Sequence, residues 1–486
     1  MSTETAIFFM RVSEHANGSP ARVAPDTPLR DIVGLMATEK CTAVNIVDDQ
    51  GRPIGIITEQ DIVRRVTFNA NQDQPALDIM SAPVRTIVDD DALFIAIARM
   101  RRLGHRHMPV VDSDGRLCGI LDLHDTMVRA SGDLVSRIDK LTRDDSIDGL
   151  REIKAVQVEV AAELLADNIP AREVQALLTH INNDIYRSLL RRNLAAKMAE
   201  GLGEPPVPFT MIIMGSGGRG ENYLYPDQDY GFILADYDDE HHTEIDSWFI
   251  DLAERLSRDL DAVGLPYCTG NVMATNPVWR KTISQWKAQV DYWNRSGTGR
   301  ALLQFDIFFD FRASRGEASL AGELRRHVTH VTKGNAPFLR SIYMSDRAHG
   351  TALRWFGRFA TERTDKENKG KVGLKLYGSL PLVEGVRMLA LREGVTATGT
   401  LARLGALHDL RVVNDDDYDD LKEAHGTICQ LLLTQQISDF NAGRKVTSYI
   451  HPRELTARQR KRLREAFKAI DALRTRINFE IGGEIF

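Results

Sequence analysis

Cysteine is scarce: there are four, Cys41, Cys118, Cys268 and Cys429, all far apart in 486 residues. That spacing excludes the close pairs of a zinc site and offers no disulfide framework of the kind secreted domains use, so a cytoplasmic protein is expected. A charge excess is missing too, since 62 lysines and arginines face 68 aspartates and glutamates, for a formal net charge of −6. Nothing global draws such a chain to a membrane surface, and no aromatic-basic stripe marks a nucleic-acid face. Nor is there an uninterrupted apolar run of the roughly 18 residues that a spanning helix needs. The start, STETAIFFMRVSEH, lacks the basic segment and long apolar stretch of a secretory leader. What remains is 43% hydrophobic and long enough for about two to four packed domains.

The chain does carry an internal repeat. A shift of 64 residues aligns Asp26 to Asp61 with Asp90 to Asp125 without a gap. Asp26, Leu29, Met36, Val47, Asp48, Gly51, Arg52, Gly55 and Asp61 recur as Asp90, Leu93, Met100, Val111, Asp112, Gly115, Arg116, Gly119 and Asp125. Each copy reads as an amphipathic helix (Leu29, Ile32, Val33 and Met36 in the first), a strand, a turn at Asp-x-x-Gly, a second strand and a closing helix, a βαββα unit in duplicate. Thr58 and Asp61 have the spacing of a capping pair for the closing helix, and Asp122 can cap its own. The repeat resembles a tandem pair of CBS domains, whose Gly-h-x-Thr-x-x-Asp signature is matched by Gly55-Ile56-Ile57-Thr58-Glu59-Gln60-Asp61. The resemblance implies an adenine nucleotide as ligand, with Thr58 and Asp61 on its ribose. It also implies a homodimer formed through the CBS domains. The second copy departs from the signature, with Asp122 at the threonine position before Asp125; a carboxylate there can accept a ribose hydroxyl but repels phosphate.

Residues 211–233, MIIMGSGGRGENYLYPDQDYGFI, hold the pattern with the most chemistry in it. Met211 to Met214 read as a buried strand ending in Gly215-Ser216, and the small residues to Gly218 let backbone amides approach an anion. Arg219 adds a planar donor for phosphate oxygens. In a strand, Asp227 and Asp229 share a face and can share a divalent cation, while Gln228 points away. Two carboxylates and a phosphate suit Mg2+.

Gly-Ser, ten residues and Asp-x-Asp resemble the nucleotidyltransferase superfamily of DNA polymerase β. GSGGRGE followed by DQD is similar to the branch with PII uridylyltransferase and glutamine synthetase adenylyltransferase, and to a family coupling CBS pairs to this transferase. The resemblance implies that Gly215, Ser216 and Arg219 bind the triphosphate and that Asp227 and Asp229 bind metal. It also implies a third carboxylate on a neighbouring strand. LLQFDIFFDFR, residues 302–312, is the candidate strand, and Asp306 and Asp310 lie four apart on one face of it. Asp310 is preferred for the third catalytic and metal-binding position because Asp-Phe-Arg after a hydrophobic run matches this branch.

Other segments carry less. Val156, Val160, Leu164 and Leu165, then Val174, Leu177, Leu178 and Ile181, mark helices that end before Pro205, Pro206 and Pro208. Trp279, Trp286 and Trp293, with Ile283 and Val290, form a helical stripe expected in a core. A polar loop at Gly270 to Pro277 could line a nucleotide cleft. Helix starts are expected at Ser379-Leu380-Pro381 and at Thr456, which makes a capping box with Gln459 ahead of the apolar face Leu463, Phe467, Ile470, Leu473 and Ile477. LYGSLPLVEGVRMLALREG resembles the family's helical substrate-binding domain, with Arg387 and Arg392 as candidate acceptor contacts. Asp415 to Asp420 read as an acidic loop, and the basic cluster from Arg458 to Arg464 as a wet helix face.

The expected architecture is multidomain, α/β and α: a tandem CBS pair at 15–130, a helical connector at 131–205, a polymerase β-type α/β domain at 206–335 and a C-terminal helical bundle at 340–486. The expected activity is CBS-regulated, Mg2+-dependent transfer of a nucleoside monophosphate from a nucleoside triphosphate to a protein or small-molecule acceptor. The alternative is a catalytically inactive, adenine-nucleotide-sensing binding protein that has kept the transferase fold.

Overall fold

The computed structural model describes residues 11–63, 73–91, 93–123, 146–166, 168–296, 299–346, 350–354 and 357–482. They fall into two compact units, Met1–Asp144 and Asp145–Phe486.

In the first unit β1 (Arg22–Val23), α1 (Leu29–Glu39), β2 (Ala43–Val47) and β3 (Pro53–Thr58) are followed by β4 (Ile87–Val88), α2 (Leu93–Leu103), β5 (His107–Val111) and β6 (Leu117–Asp122). The repeat seen in sequence is therefore a repeat of structure. Each copy forms a three-stranded sheet, first strand parallel to the second and third antiparallel to it, and Ala43 opposite Thr58 becomes His107 opposite Asp122. The Asp-x-x-Gly turns repeat as well. The Asp48 carboxylate accepts the N–H of Gln50 and Arg52, and Asp112 accepts those of Asp114 and Arg116. Gly51 and Gly115 then take the left-handed φ of 77° and 78° that such a turn requires. Leu29, Ile32 and Met36 are buried on α1, whereas Val33 faces out. The closing helices lie largely outside the described residues, and Asp125 lies there too.

The second unit begins with α3 (Ile147–Ala166) and α4 (Ala171–Ala199), followed by β7 (Phe209–Ile213), α5 (Gly215–Arg219), β8 (Tyr230–Leu234), α6 (His242–Val263) and β9 (Arg280–Thr282). Then come α7 (Ile283–Ser296), α8 (Gly299–Phe309), β10 (Arg312–Gly316), α9 (Ala318–Thr332), α10 (Ala336–Asp346), α11 (Leu380–Glu393), α12 (Thr400–Asp409), α13 (Asp415–Asn441) and α14 (Ala457–Ile477). The sheet runs β10-β7-β8-β9, with β8 and β9 parallel and the other pairs antiparallel. Every residue of β7 and β8 is buried, as a sheet covered on both faces demands. Helices α3 and α4 pack on α6 and α13 and so belong to this unit. One hydrophobic core runs from Ile212 and Ile233 through the tryptophan stripe to Phe467 and Ile477.

Two expectations are corrected. The run 302–309 is a helix rather than a strand, because Leu302, Phe305 and Phe309 recur at helical spacing and are buried, and Phe305 and Phe308 pack their rings against Trp286, Trp293 and Phe338. A short apolar run fits either period, and the aromatic core selects the helix. Asp415 to Asp417 form the first turn of α13, not a loop; Asn414 caps that turn, and acids there complement the helix dipole. Thr456 and Gln459 do form a capping box, and Leu463, Phe467, Ile470, Leu473 and Ile477 are buried below it.

Candidate active site

The strand β7 stops at Ile213 and the chain turns sharply through Gly215. At φ 55°, a Cβ on Gly215 would stand 2.7 Å from Asp229 Oδ2, and a Cβ on Gly218 would stand 2.0 Å from the Asp310 carbonyl. The small residues are thus required by close approach on two sides. The Met214 N–H donates to the Asp229 carbonyl at 2.9 Å, so loop and acids share a backbone bond. Ser216 Oγ donates to Asn222 Oδ1 at 2.9 Å.

Asp227, Gln228 and Asp229 lie just ahead of β8 and alternate as a strand would. Asp227 is exposed and Asp229 half-buried, while Gln228 is fully buried and donates to the carbonyls of Ser257 and Leu265. Burial, and then the neighbouring Asp227, push the Asp229 carboxyl up to about 7. The Cys268 thiol donates to it, and burial followed by Asp229 drives that thiol up to about 12. Ligand atoms of Asp227, Asp229 and Cys268 all lie within 4.8 Å of one another, which among the described residues is the one such group of three. Two carboxylates held this close, one of them half-buried, fit a divalent cation.

Asp310 is elsewhere in its allegiance. It is wholly buried, with Arg219 Nη1 at 2.6 Å and Arg387 Nη1 at 3.2 Å from Oδ2, and Arg403 Nη1 at 2.7 Å from Oδ1. Burial alone would raise its carboxyl, but Arg403, Arg387 and Arg219 outweigh it and hold the group well below the usual carboxylate range. The structure does not group Asp310 with Asp227 and Asp229. Arg219 also donates from Nε to Glu221 Oε2 at 2.7 Å, and Glu221 Oε1 accepts the Thr400 N–H at 2.6 Å. Its guanidinium is therefore tied to two internal acids. Arg387, expected as an acceptor contact, is instead buried against Asp306, 2.9 Å from Nη2, and Asp310; Arg392 pairs with Glu393 and Glu480.

Two residues escaped the sequence reading. In sequence, Cys268 stands apart from any other cysteine, although it adjoins the polar Gly270 to Pro277 loop. Lys154 gave no signal: it is buried on α3 and donates to Gln157, Asn182 and the Leu224 carbonyl at 2.8–3.1 Å, and burial lowers it to about 7.

In the first unit Thr58 and Asp61 satisfy each other. Asp61 Oδ2 accepts the Thr58 N–H at 3.0 Å and its hydroxyl at 2.7 Å, the Asp61 N–H returns to Thr58 Oγ1, and Ser81 donates to Oδ1. Asp122 lies 3.1 Å from Arg106 Nε and 3.2 Å from His107 Nε2, at the edge of a cavity of about 410 Å³ lined also by Asn17, Lys40 and Thr42.

Family models match most of the chain. Residues 12–67 and 76–130 match "CBS domain", 156–300 match "Putative nucleotidyltransferase DUF294", and 336–481 match "Putative nucleotidyltransferase substrate binding domain". An uncharacterized 17.7 kDa protein of Acidianus ambivalens is 30% identical over 24% of this chain and 70% of its own length. An uncharacterized protein of Methanopyrus kandleri is 38% identical over 23% of this chain, which spans 55% of that protein. Inosine-5'-monophosphate dehydrogenase of Mycobacterium tuberculosis is 31% identical over 22% of this chain, which spans 20% of that enzyme. Among solved structures, a CBS domain protein from Pyrobaculum aerophilum complexed with AMP is 26% identical, with 26% of this chain and 98% of that one covered at a TM-score of 0.24. A CBS domain pair in complex with 5-methylthioadenosine and S-adenosyl-L-methionine is 22% identical, with 26% and 94% covered at a TM-score of 0.23.

Proposed function

The chain belongs to the family that joins a CBS pair to the DUF294 domain and its substrate-binding domain, and from that premise we propose a CBS-regulated nucleotidyltransferase. It transfers a nucleoside monophosphate from a nucleoside triphosphate to an acceptor hydroxyl on a protein or small molecule. The observation that carries the reading is the meeting of loop and acids: Gly215, at φ 55°, leaves no room for a side chain against Asp229, whose carboxylate stands beside Asp227.

Asp227 and Asp229 would hold Mg2+, which would supply neutralisation of phosphate charge. Gly215 and Ser216 bring backbone amides to the triphosphate, and Arg219 contributes positive charge at the end of α5, positioned there by Asp310 and Glu221. The acceptor hydroxyl attacks the α-phosphorus, giving up its proton to solvent as the new P–O bond forms and pyrophosphate leaves, so these residues act mainly by orientation and charge. Residues 15–130 sense an adenine nucleotide and form the homodimer contact, 131–205 link them to the transferase at 206–335, and 340–486 select the acceptor. The protein works in the cytoplasm.

A second reading, an inactive nucleotide sensor on the same fold, is favoured by one observation: Asp310 and Arg219 neutralise each other internally. Incubation with each α-labelled nucleoside triphosphate, Mg2+ and a cell extract separates the two. Label transferred to a protein or small molecule supports the enzyme; silence with every nucleotide supports the sensor.

A further inference from the structure

Cys268 stands on the loop between α6 and β9, and the main chain of that loop brackets Asp229. The Gln228 N–H donates to the Pro266 carbonyl at 3.0 Å and the Tyr230 N–H to the Val272 carbonyl at 3.0 Å. Between those anchors the Asn271 N–H closes a turn on the Cys268 carbonyl at 2.9 Å, with Asn271 in the left-handed region at φ 56°. The Asn271 carbonyl is fixed in turn by Trp279 Nε1 at 3.0 Å, and Trp279 is core. The thiol is therefore presented to the aspartates by a loop tied down on both sides of Asp229, with its sulfur within 4.8 Å of their ligand oxygens.

We propose that Cys268 is the third protein ligand of the cation held by Asp227 and Asp229, and that this O,O,S set takes a thiophilic divalent ion of the Zn2+ or Co2+ class more tightly than Mg2+. The inference rests on the transferase reading for the presence of a cation at the aspartates. Sulfur decides the preference: Mg2+ is a hard ion that keeps oxygen ligands and water, whereas a thiolate favours softer first-row ions. On binding, the thiol proton leaves to solvent and a sulfur–metal bond forms; nothing is oxidised or reduced.

The test is titration of the full-length chain with Co2+ in the absence of nucleotide. A sulfur-to-cobalt charge-transfer band in the near ultraviolet should saturate near one Co2+ per chain and vanish in Cys268→Ser and in Asp229→Asn. Competition against a chromophoric chelator should show Zn2+ affinity falling by about tenfold or more in Cys268→Ser, with Mg2+ affinity within about twofold. Cys268→Asp, which puts oxygen where sulfur was, should lose the band and bind Mg2+ more tightly; tryptophan fluorescence checks that each variant is folded. No band in the wild type, or a band that survives Cys268→Ser, overturns the proposal. The two readings fail separately: a band without any nucleotide transfer sinks the transferase alone, and Mg2+-supported transfer without a band sinks the Cys268 ligand alone.

Discussion

Two groups of aspartates in the second unit meet opposite surroundings. Asp306 and Asp310 lie at the end of α8 among buried guanidiniums: Arg387 pairs with both, and Arg219 and Arg403 pair with Asp310. Asp227 and Asp229 face each other and a thiol, and one of them is exposed. Asp310 is pulled down by its three arginines, whereas half-buried Asp229 is pushed up, as is Asp306, although burial acts on all three in the same direction. The difference teaches which acids the fold has already neutralised and which it leaves for a cation. Acids in direct contact with the chain's own guanidiniums hold the structure together; acids that stand beside another acid, as Asp229 does beside Asp227, are the place for chemistry.

Removing one acid from each group should break the protein in different ways. Asp229→Asn is expected to lower nucleotide transfer by at least about a hundredfold, because charge placement at the phosphates goes with it. It should leave the midpoint of unfolding unchanged or slightly raised, since a like-charge contact is relieved. Asp310→Asn should do the reverse in rank: unfolding free energy falls by about 3–5 kcal/mol, as expected when a buried ion pair loses one partner and leaves guanidiniums uncompensated. Urea unfolding followed by tryptophan fluorescence measures this cleanly, because all five tryptophans lie in residues 145–486. Asp310→Asn with full stability and no transfer would move Asp310 from the structural group to the chemical one.

The contrast explains what the sequence revealed and what it withheld. Local and periodic signals were legible: the 64-residue repeat reappears as paired helices and strands at the same shift, and Gly215 to Asp229 folds into a glycine turn against two acids. The helices α3 and α4 and the capping box at Thr456 were legible for the same reason. The partners of Asp310 were not, because Arg387 and Arg403 reach it from α11 and α12, and an isolated arginine in a helical stretch reads as a solvated one. Cys268 was hidden likewise, as its neighbours Asp227 and Asp229 lie about forty residues away in sequence, just ahead of β8. For 302–309 the sequence fitted two periods, and only packing on Trp286 and Trp293 decided.

Lys154 sharpens the comparison from the cationic side, since its hydrogen-bond partners are neutral oxygens. With the folded-state value lowered to about 7, folding releases a proton between there and the unfolded value near 10.4. The unfolded chain then binds more protons than the folded one, so stability rises with pH across that window. The expected slope is about 1.4 kcal/mol per pH unit, and it is absent below pH 7, where both states are protonated. Lys154→Met should remove this contribution between pH 7 and 9 in urea titrations. A wild-type curve with the same slope as the variant's would mean that the three oxygens keep the ammonium charged.

The smallest effect tests whether the first unit has the same division between structural and chemical acids. Thr58 and Asp61 already satisfy each other at the start of the closing helix, which places them with Asp310 rather than with Asp229. Thr58→Ala should then cost about 1 kcal/mol, the usual worth of a cap, read as faster hydrogen exchange of the Asp61 amide and of β3. Affinity for AMP, measured by equilibrium dialysis on the full chain, should stay within about twofold of wild type if the pair is only a cap. A loss beyond about tenfold, some 1.4 kcal/mol or more, would exceed the cap's worth and put Thr58 on the ribose. The contrast between neutralised and available acids would then fail in the first unit, where a pair satisfied internally would be able to open for a ligand.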